Sequence, residues 1–278
     1  MPDRKPSPAR PAAGGRANPA AQRPRGAPQR KPSASRSIVA PPRNRGPMAA
    51  AVVIAFVAIV VAGFALFASS RDDTVKDAGG YGSATTAATL SADGSITLAA
   101  AGAPVAIELF EDPLCPHCGA FEAQYGDQIA EAIDTGTLSV TYRPLTFLNQ
   151  GSASGDYSTR AWAALMCVAQ DDATSGAASY GAYHDLLFSS DVQPSEGGKS
   201  DHTDSELADY AVQSGASAAA SLCITDGDMQ GRVRSADATS QKDLTDQVGR
   251  VGSPTVLSGG KSVSYQDSGW LTRLLAAG

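Results

Sequence analysis

The stretch from Val105 to Cys118 reads VAIELFEDPLCPHC and joins an apolar run to two cysteines that are three positions apart. Its first six residues, Val105–Phe110, suit a buried β-strand. From Cys118 onward, apolar residues recur every three or four positions, which indicates one face of a helix that ends near Gly136. Leu138–Tyr142 then alternates as a second strand. Strand, helix and strand in one sheet predict a parallel crossover and therefore an α/β core.

The chain beyond this core is mostly helical in pattern. A capping box at Thr203 and Glu206 marks the start of one of these helices. Glycines 259 and 260, followed by Lys261, indicate a hairpin between two late strands. We predict helices at Ser158–Gln170, Tyr183–Phe188, Thr203–Ser214 and Gln230–Gln247, strands at Thr255–Ser258 and Ser262–Tyr265, and a closing helix that includes Trp270, Leu271, Leu274 and Leu275.

Charge is segregated along the chain. Residues 1–47 hold eleven Lys and Arg against one Asp, and eleven of the seventeen prolines. The remaining chain holds 11 basic and 27 acidic residues, so its bulk is not a nucleic-acid binder. The N-terminal part has almost no large apolar side chain before Ile38, and we predict a disordered tail.

Residues 48–68 contain no charged side chain and are long enough to cross a bilayer as one helix. The basic residues precede this segment, so the tail is expected to be cytoplasmic and the C-terminal part extracytoplasmic. A long, cleaved export signal is the alternative. Residues 69–94 are predicted to be a flexible linker, and residues 95–278 to be the folded domain. The expected location is therefore the cell membrane, with a single span.

The pair Cys115 and Cys118 stands where the first core strand passes into its helix. A helix N-terminus stabilises an anion such as a thiolate. The spacing of the two cysteines on one helical turn suits a disulfide. Pro116 fits the first helical position, and a protonated His117 would add positive charge beside Cys115. Both effects lower a thiol pKa, which favours redox chemistry with Cys115 as the attacked sulfur.

Other possible uses of this pair are metal binding, haem attachment and a structural disulfide. A zinc site needs four ligands, usually in two close pairs, and the other two cysteines stand alone in the sequence. Covalent haem attachment needs a histidine after the second cysteine, where this chain has Gly119. A purely structural disulfide does not need this placement at a helix start. No metal site and no separate cofactor are predicted.

The other two cysteines are Cys167, on an apolar helix, and Cys223. An exported domain with an even number of cysteines favours a disulfide between them, although free buried cysteines are also common. His184 is interpreted as a histidine on a helix surface and His202 as one in a loop. Trp162 is interpreted as a core residue.

With these motifs in place, residues 95–278 resemble the DsbA-like disulfide oxidoreductases. The resemblance rests on the tetrad from Cys115 to Cys118, on Phe121-Glu122, on the helical block, and on the segment Val251–Thr255. It implies a thioredoxin-like fold with a helical insertion at about residues 150–248. It also implies that Pro254 follows a cis peptide bond and faces the redox pair, with Ser253 and Thr255 beside it.

Proton handling departs from that family's pattern. Many of its members carry an acid six positions before the first cysteine, where this chain has Leu109. Glu108 should face the opposite side of the strand. Glu122, which matches a family acid beside the site, or Glu111 or Asp112 could take this role. Read from the residues alone, each of the three is more simply a solvated carboxylate.

The resemblance implies an oxidase that donates the disulfide between Cys115 and Cys118 to reduced exported proteins. It also implies reoxidation by a membrane partner linked to quinone, of the DsbB or vitamin K epoxide reductase type. Two alternatives stay open at this point. One is a reductase or isomerase of the same fold, and the other is a tethered binding module whose cysteine pair is structural.

Overall fold

A computed structural model describes residues 86–176 and 178–278. The predicted tail, the predicted transmembrane helix and most of the predicted linker lie outside these residues. In the described ranges, no helix combines the length and apolar content that crossing a bilayer requires. The described strands are β1 (Thr89–Leu90), β2 (Ile96–Ala99), β3 (Val105–Glu111), β4 (Leu138–Pro144), β5 (Thr255–Ser258) and β6 (Lys261–Ser262).

These strands form one sheet in the order β1-β2-β4-β3-β5-β6. The central pair, β3 and β4, is parallel, with Val105 opposite Leu138 and Glu111 opposite Pro144. The helix α1 (Pro116–Asp134) connects the two strands. The predicted strand, helix and strand are therefore confirmed, and the end of β3 leads directly into the cysteine pair.

The helical insertion lies between β4 and β5. Its members are α2 (Tyr157–Ser175), α3 (Tyr180–Phe188), α4 (Asp204–Gln213), α5 (Ala218–Asp226) and α6 (Gln230–Val248), and α7 (Trp270–Ala277) closes the chain. The capping box at Thr203 and Glu206 is present. Helix α5 is one that the sequence analysis did not predict, because its nine residues have only two buried side chains and little periodicity.

The fold begins earlier than the predicted boundary at residue 94. Strand β1 pairs with β2, and Ala88 before it is buried. Asp93 fixes the intervening turn, because its carboxylate accepts hydrogen bonds from the Ser95 backbone and hydroxyl and pairs with Arg143 at 3.1 Å. Gly94 has a φ of +86°, and a Cβ there would lie 2.7 Å from that of Ala236. These are long-range contacts, which local polarity does not reveal.

The late hairpin differs from its prediction in one respect. Strand β6 ends at Ser262, whereas the alternating pattern predicted a strand through Tyr265. Beyond Val263 the chain turns away, and the Tyr265 hydroxyl donates a hydrogen bond to the Pro254 carbonyl at 3.0 Å. This contact removes Tyr265 from the sheet and places it next to the cysteine pair.

Cys167 and Cys223 form a disulfide, as predicted, with their Cα atoms 5.8 Å apart. The bond joins α2 to α5. Cys167 is buried on its helix, and Cys223 is partly exposed. The bridge therefore attaches a peripheral helix to the central helix of the insertion.

Loss of this bridge should destabilise the domain. The two cysteines are 56 residues apart, and closing such a loop stabilises a fold by about 4 kcal/mol in the chain-entropy model. We expect the double variant Cys167→Ala/Cys223→Ala to lose about this much free energy of unfolding, measured by urea denaturation. Both proteins are first treated with mild reductant, so that Cys115 and Cys118 are thiols in each. Strong reductant should then lower the stability of the parent protein to that of the variant and leave the variant unchanged. Equal stability of the two proteins before the strong reductant is added would contradict this.

Candidate functional site

The cysteine pair occupies the N-terminus of α1. Cys115 is the N-cap residue, with φ −75° and ψ 116°, and Pro116 takes the first helical position. Both cysteines are free thiols. Cys115 is 5% exposed to solvent and Cys118 is fully buried. Cys115 is therefore the accessible member of the pair, although it is more enclosed than the sequence suggested.

The surroundings of Cys115 favour its thiolate. They lower the pKa of this thiol from the usual 9.0 to about 5. The largest contribution is a hydrogen bond from the Cys118 thiol, which outweighs the opposing effect of burial. The Ser253 hydroxyl and the backbone N–H groups of Cys118 and His117 contribute further. The helix start therefore lowers the pKa of Cys115, as expected, and His117 contributes through its backbone N–H group. The His117 ring is exposed to solvent.

Cys118 has the opposite character. Burial raises the pKa of its thiol well above the usual 9.0, and its hydrogen bond to Cys115 and the charge of Glu111 act in the same direction. Its apolar neighbours include Phe188, from α3 of the insertion. One cysteine of the pair is therefore readily ionised, and the other strongly prefers its proton.

The loop before β5 faces this pair. The Ser253–Pro254 peptide bond is cis, as the resemblance implied. The Cys115 sulfur lies 3.6 Å from the Ser253 carbonyl oxygen. The Thr255 hydroxyl donates to the Gly252 carbonyl at 2.7 Å, and Thr255 pairs with Phe110 of β3. The sheet itself therefore holds the proline loop against Cys115.

A groove of about 350 Å³ opens beside the redox pair. Tyr265 forms part of its wall and is held at both ends, because its carbonyl accepts a hydrogen bond from Tyr125 at 2.8 Å and its hydroxyl donates to Pro254. Sequence reasoning missed Tyr265, since its alternating context resembled a strand. The groove is lined by His117, Ala120, Phe121, Gln124, Tyr125, Ser253, Pro254, Tyr265 and Gln266.

Two glutamates and a histidine are buried beneath the pair. Glu111 and His184 are fully buried, and Glu122 is only 4% exposed. The interpretation of both carboxylates as solvated is therefore wrong, and so is that of His184 as a surface residue. Glu111 is the last residue of β3, Glu122 lies on the inner face of α1, and α3 brings His184 between them and the aromatic rings of Phe188 and Tyr142. Helix α3 is covered on more than one side, so one apolar stripe did not identify its buried residues.

These three groups form one electrostatic unit. The Glu111 Oε2 and His184 Nε2 atoms are 3.1 Å apart, and the donor atoms of all three residues lie within 4.8 Å of one another. Burial raises the pKa of Glu111 to about 8 and that of Glu122 well above 4.5. Burial also lowers the pKa of His184, which favours its neutral form. The unit therefore holds at least one proton between its carboxyl groups near neutral pH.

Glu111, Glu122 and His184 also carry atoms that can bind a metal. Their donor atoms lie within 4.8 Å of one another. They supply one nitrogen and two carboxylate oxygens, one donor fewer than the four of a structural zinc site. Both carboxyl groups have a raised pKa, so we describe Glu111 and Glu122 as an acid pair.

Asp112 is also buried and supports the turn before Cys115. Its carboxylate accepts hydrogen bonds from the backbone N–H groups of Leu114 and Leu148, both at 3.0 Å. Burial raises the pKa of Asp112 to about 6. Glu108 lies on the other face of β3, as strand alternation predicted, and is 3.5 Å from Arg143.

Comparisons with known proteins agree with this geometry. A family model described as thioredoxin matches residues 91–276. The serine/threonine-protein kinase PknE of Mycobacterium tuberculosis strain H37Rv is 40% identical over 174 residues, which are 62% of this chain. The match covers 30% of the length of that kinase, so most of PknE has no counterpart here.

Solved structures extend the comparison to the fold. MdbA, a thiol-disulfide oxidoreductase from Corynebacterium diphtheriae, has a TM-score of 0.60 and 28% identity, over 69% of this chain and 94% of that chain. Oxidised DsbA from M. tuberculosis has a TM-score of 0.54 and 26% identity, over 69% and 91% of the two chains. The reduced oxidoreductase DsbG of M. tuberculosis also has a TM-score of 0.54 and 26% identity, over 72% and 88%.

The parallel β3-α1-β4 unit, the redox pair at the start of α1 and the facing cis-proline loop thus occur together in a chain that the three solved structures match over most of their length. This chain belongs to the thioredoxin family, as a DsbA-like protein with a helical insertion.

Proposed function

We propose that this chain is an exported, membrane-tethered thiol–disulfide oxidase that passes a Cys115–Cys118 disulfide to reduced exported proteins. The observation that carries the proposal is the contrast between the two thiols. The pKa of Cys115 is lowered to about 5, whereas that of Cys118 is raised well above 9.0. A thiolate at Cys115 stabilises the reduced enzyme and makes its disulfide a stronger oxidant.

The reaction runs through a mixed disulfide. A substrate thiolate attacks the Cys115 sulfur, the Cys115–Cys118 bond breaks, and Cys118 leaves with the electron pair. A second substrate thiolate then attacks the substrate sulfur of the mixed disulfide and releases Cys115 as a thiolate. The substrate loses two electrons and gains a disulfide, and the enzyme gains the same two electrons as a thiolate at Cys115 and a thiol at Cys118.

Cys118 needs a proton when it leaves, because its burial strongly disfavours the thiolate. The acid pair of Glu111 and Glu122 is a suitable source. It holds a proton near neutral pH, and the charge of Glu111 acts directly on Cys118. We therefore assign proton transfer at Cys118 to this pair, in place of the acid that the family carries where Leu109 stands.

The groove beside Cys115 suits the chain that flanks a substrate cysteine. Its walls combine the rings of Phe121 and Tyr265, whose centroids are 5.0 Å apart, with exposed polar side chains. Pro254 has no backbone N–H group. A peptide that binds along this loop therefore does not displace a hydrogen bond donated by Pro254 to the sheet. An apolar wall with a few polar groups fits unfolded chains of varied sequence.

Continued turnover requires reoxidation of the pair. We propose a membrane partner linked to quinone, of the DsbB or vitamin K epoxide reductase type, which accepts the two electrons and restores the disulfide. Residues 48–68 would hold the domain at the membrane surface beside such a partner. The apolar composition of this segment and the basic residues before it support this arrangement.

Titration of the reduced protein tests the direction of electron flow. We expect Cys115 to ionise with a midpoint near pH 5, measured by thiolate absorbance or alkylation rate. Because the Cys118 thiol contributes most to this shift, Cys118→Ala should raise the midpoint. The oxidised protein should introduce disulfides into a reduced unfolded substrate, and Cys115→Ala should abolish this transfer. An unperturbed midpoint near ~8.5 together with reduction of substrate disulfides would favour the reductase or isomerase instead.

The acid pair should make stability depend on pH. The pKa of Glu111 rises from 4.5 to about 8 on folding, so between these values the folded chain holds a proton that the unfolded chain has released. The stabilisation is complete below about pH 4.5 and is lost as the pH rises towards 8. Between these values the folding equilibrium constant falls about tenfold per pH unit. We expect Glu111→Gln to reduce this slope by about one proton in urea denaturation of the oxidised protein.

The matched control for that measurement is Glu131→Gln, since Glu131 is an exposed glutamate of α1, the helix that carries Glu122. It should retain the slope of the parent protein. Identical slopes for the parent protein and Glu111→Gln would contradict the buried acid pair.

Protease protection tests the membrane topology. Protease added outside intact cells should digest the chain beyond about Arg71 and leave the basic tail intact, because eleven basic residues and only one acidic residue precede the apolar segment. Immunoblots against tags at both ends measure this. Recovery of a soluble mature protein that begins near Ser70 would show a cleaved export signal instead of an anchor.

A further inference from the structure

We propose that Gln193, on the loop after α3, is a positioning residue that holds the backbone of the Cys115 turn in the conformation that the redox chemistry uses. The inference rests on the proposed redox role of Cys115. Gln193 belongs to the helical insertion, and its side-chain hydrogen bonds within the described residues do not involve either cysteine sulfur. Its side chain instead contacts the backbone of Cys115.

The Gln193 side chain bridges two carbonyl groups of this turn. Its Nε2 atom donates hydrogen bonds to the carbonyl oxygen of Pro113 at 3.1 Å and to that of Cys115 at 3.0 Å. An amide nitrogen carries two hydrogens, so both are used. The two carbonyl groups flank Leu114, and the bridge therefore restrains the two peptide units that lead into α1.

Gly119, the residue directly after the cysteine pair, makes room for this bridge. A Cβ at residue 119 would lie 2.3 Å from the Gln193 Oε1 atom and 3.0 Å from the Phe188 carbonyl oxygen. The first distance is shorter than real Cβ contacts and the second is tighter than most of them, so a side chain here would displace the Gln193 amide. The absence of a side chain at Gly119 thus lets the insertion approach the first turn of α1.

The loop that carries Gln193 is itself held in place. The Gln193 backbone N–H donates to the Ser189 carbonyl at 2.8 Å. The His202 ring nitrogen Nε2 donates to the Val192 carbonyl at 2.6 Å, and the His202 carbonyl accepts a hydrogen bond from Arg160 at 2.6 Å. Because these contacts order the loop independently of the cysteines, the Gln193 amide is pre-organised and can restrain the redox turn.

The restraint matters because Cys115 is a helix N-cap. The backbone N–H groups of His117 and Cys118 help to lower the pKa of its thiol, and they keep their positions beside it only while the turn keeps its observed angles, φ −75° and ψ 116°. The first turn of a helix lacks backbone partners and tends to fray. Asp112 holds one side of this turn through Leu114, and Gln193 holds the other side through the carbonyl groups.

The test replaces Gln193 with methionine, which has a similar length and no hydrogen-bond donor. We expect the acid dissociation constant of Cys115 to fall about three- to tenfold, as loss of a restraining hydrogen bond predicts. The equilibrium of the pair with glutathione should shift by a similar factor towards a weaker oxidant. Gln213→Met, an exposed position on α4, is the matched control and should change neither value.

Gly119→Ala provides a second, independent route to the same state. If the new methyl group acts by displacing Gln193, it should produce a similar shift, and the double variant Gly119→Ala/Gln193→Met should show no further change. Thermal unfolding is measured in parallel, because a merely structural role would lower the melting temperature and leave the thiol titration unchanged. If Gln193→Met does not fold, Gly119→Ala alone decides the question.

The outcomes separate this inference from the proposed function. A thiol midpoint near ~8.5 in the parent protein would overturn the oxidase proposal itself. A low midpoint in the parent protein that stays within twofold in Gln193→Met and in Gly119→Ala would overturn the role of Gln193 and leave the oxidase proposal intact. Additive effects in the double variant would also overturn it.

Discussion

The hydrogen-bonding capacity at the N-terminus of α1 is the constraint on which the rest of the site depends. A helix start leaves backbone N–H groups without helical partners, and here those of His117 and Cys118 help to lower the pKa of Cys115. This works only if Cys115 caps the helix and Pro116 begins it. The strand before it, the cis-proline loop opposite and the insertion above it all contact this one turn.

Burial of Cys118 has a consequence for the protein beneath it. A buried thiol that changes its bonding must exchange a proton, and water does not reach it. The core next to Cys118 contains the ionisable residues Glu111, Glu122 and His184, where apolar side chains would be usual. Burying them costs solvation free energy. The raised pKa values of Glu111 and Glu122 reduce this cost, because a protonated carboxyl group buries no charge.

The helical insertion contributes more than a cover. Helix α3 places Phe188 against the cysteines and His184 against the acid pair, and the loop after it carries Gln193. The Cys167–Cys223 bridge lies farther out, between α2 and α5. The insertion therefore carries a disulfide on its outer side, while its inner side contacts Cys115 and Cys118.

Local sequence was sufficient to predict the β3-α1-β4 unit, the position of the cysteine pair at a helix start, most of the helices and the second disulfide. Each of these follows from periodicity, from capping residues or from the pairing expected of cysteines in an exported domain, which are properties of neighbouring residues or of composition. The cis bond before Pro254 came from family resemblance, since nothing local distinguishes it from a trans bond.

Only the tertiary structure decided the surroundings of the pair. His184 meets Glu111 across 73 positions, Gln193 meets Cys115 across 78, and Tyr125 meets Tyr265 across 140. A carboxylate at a strand end or a histidine on a short helix has the same local pattern whether it is solvated or buried. Its environment depends on which distant segment packs over it, and this packing is set by the assembled sheet and insertion, not by neighbouring residues.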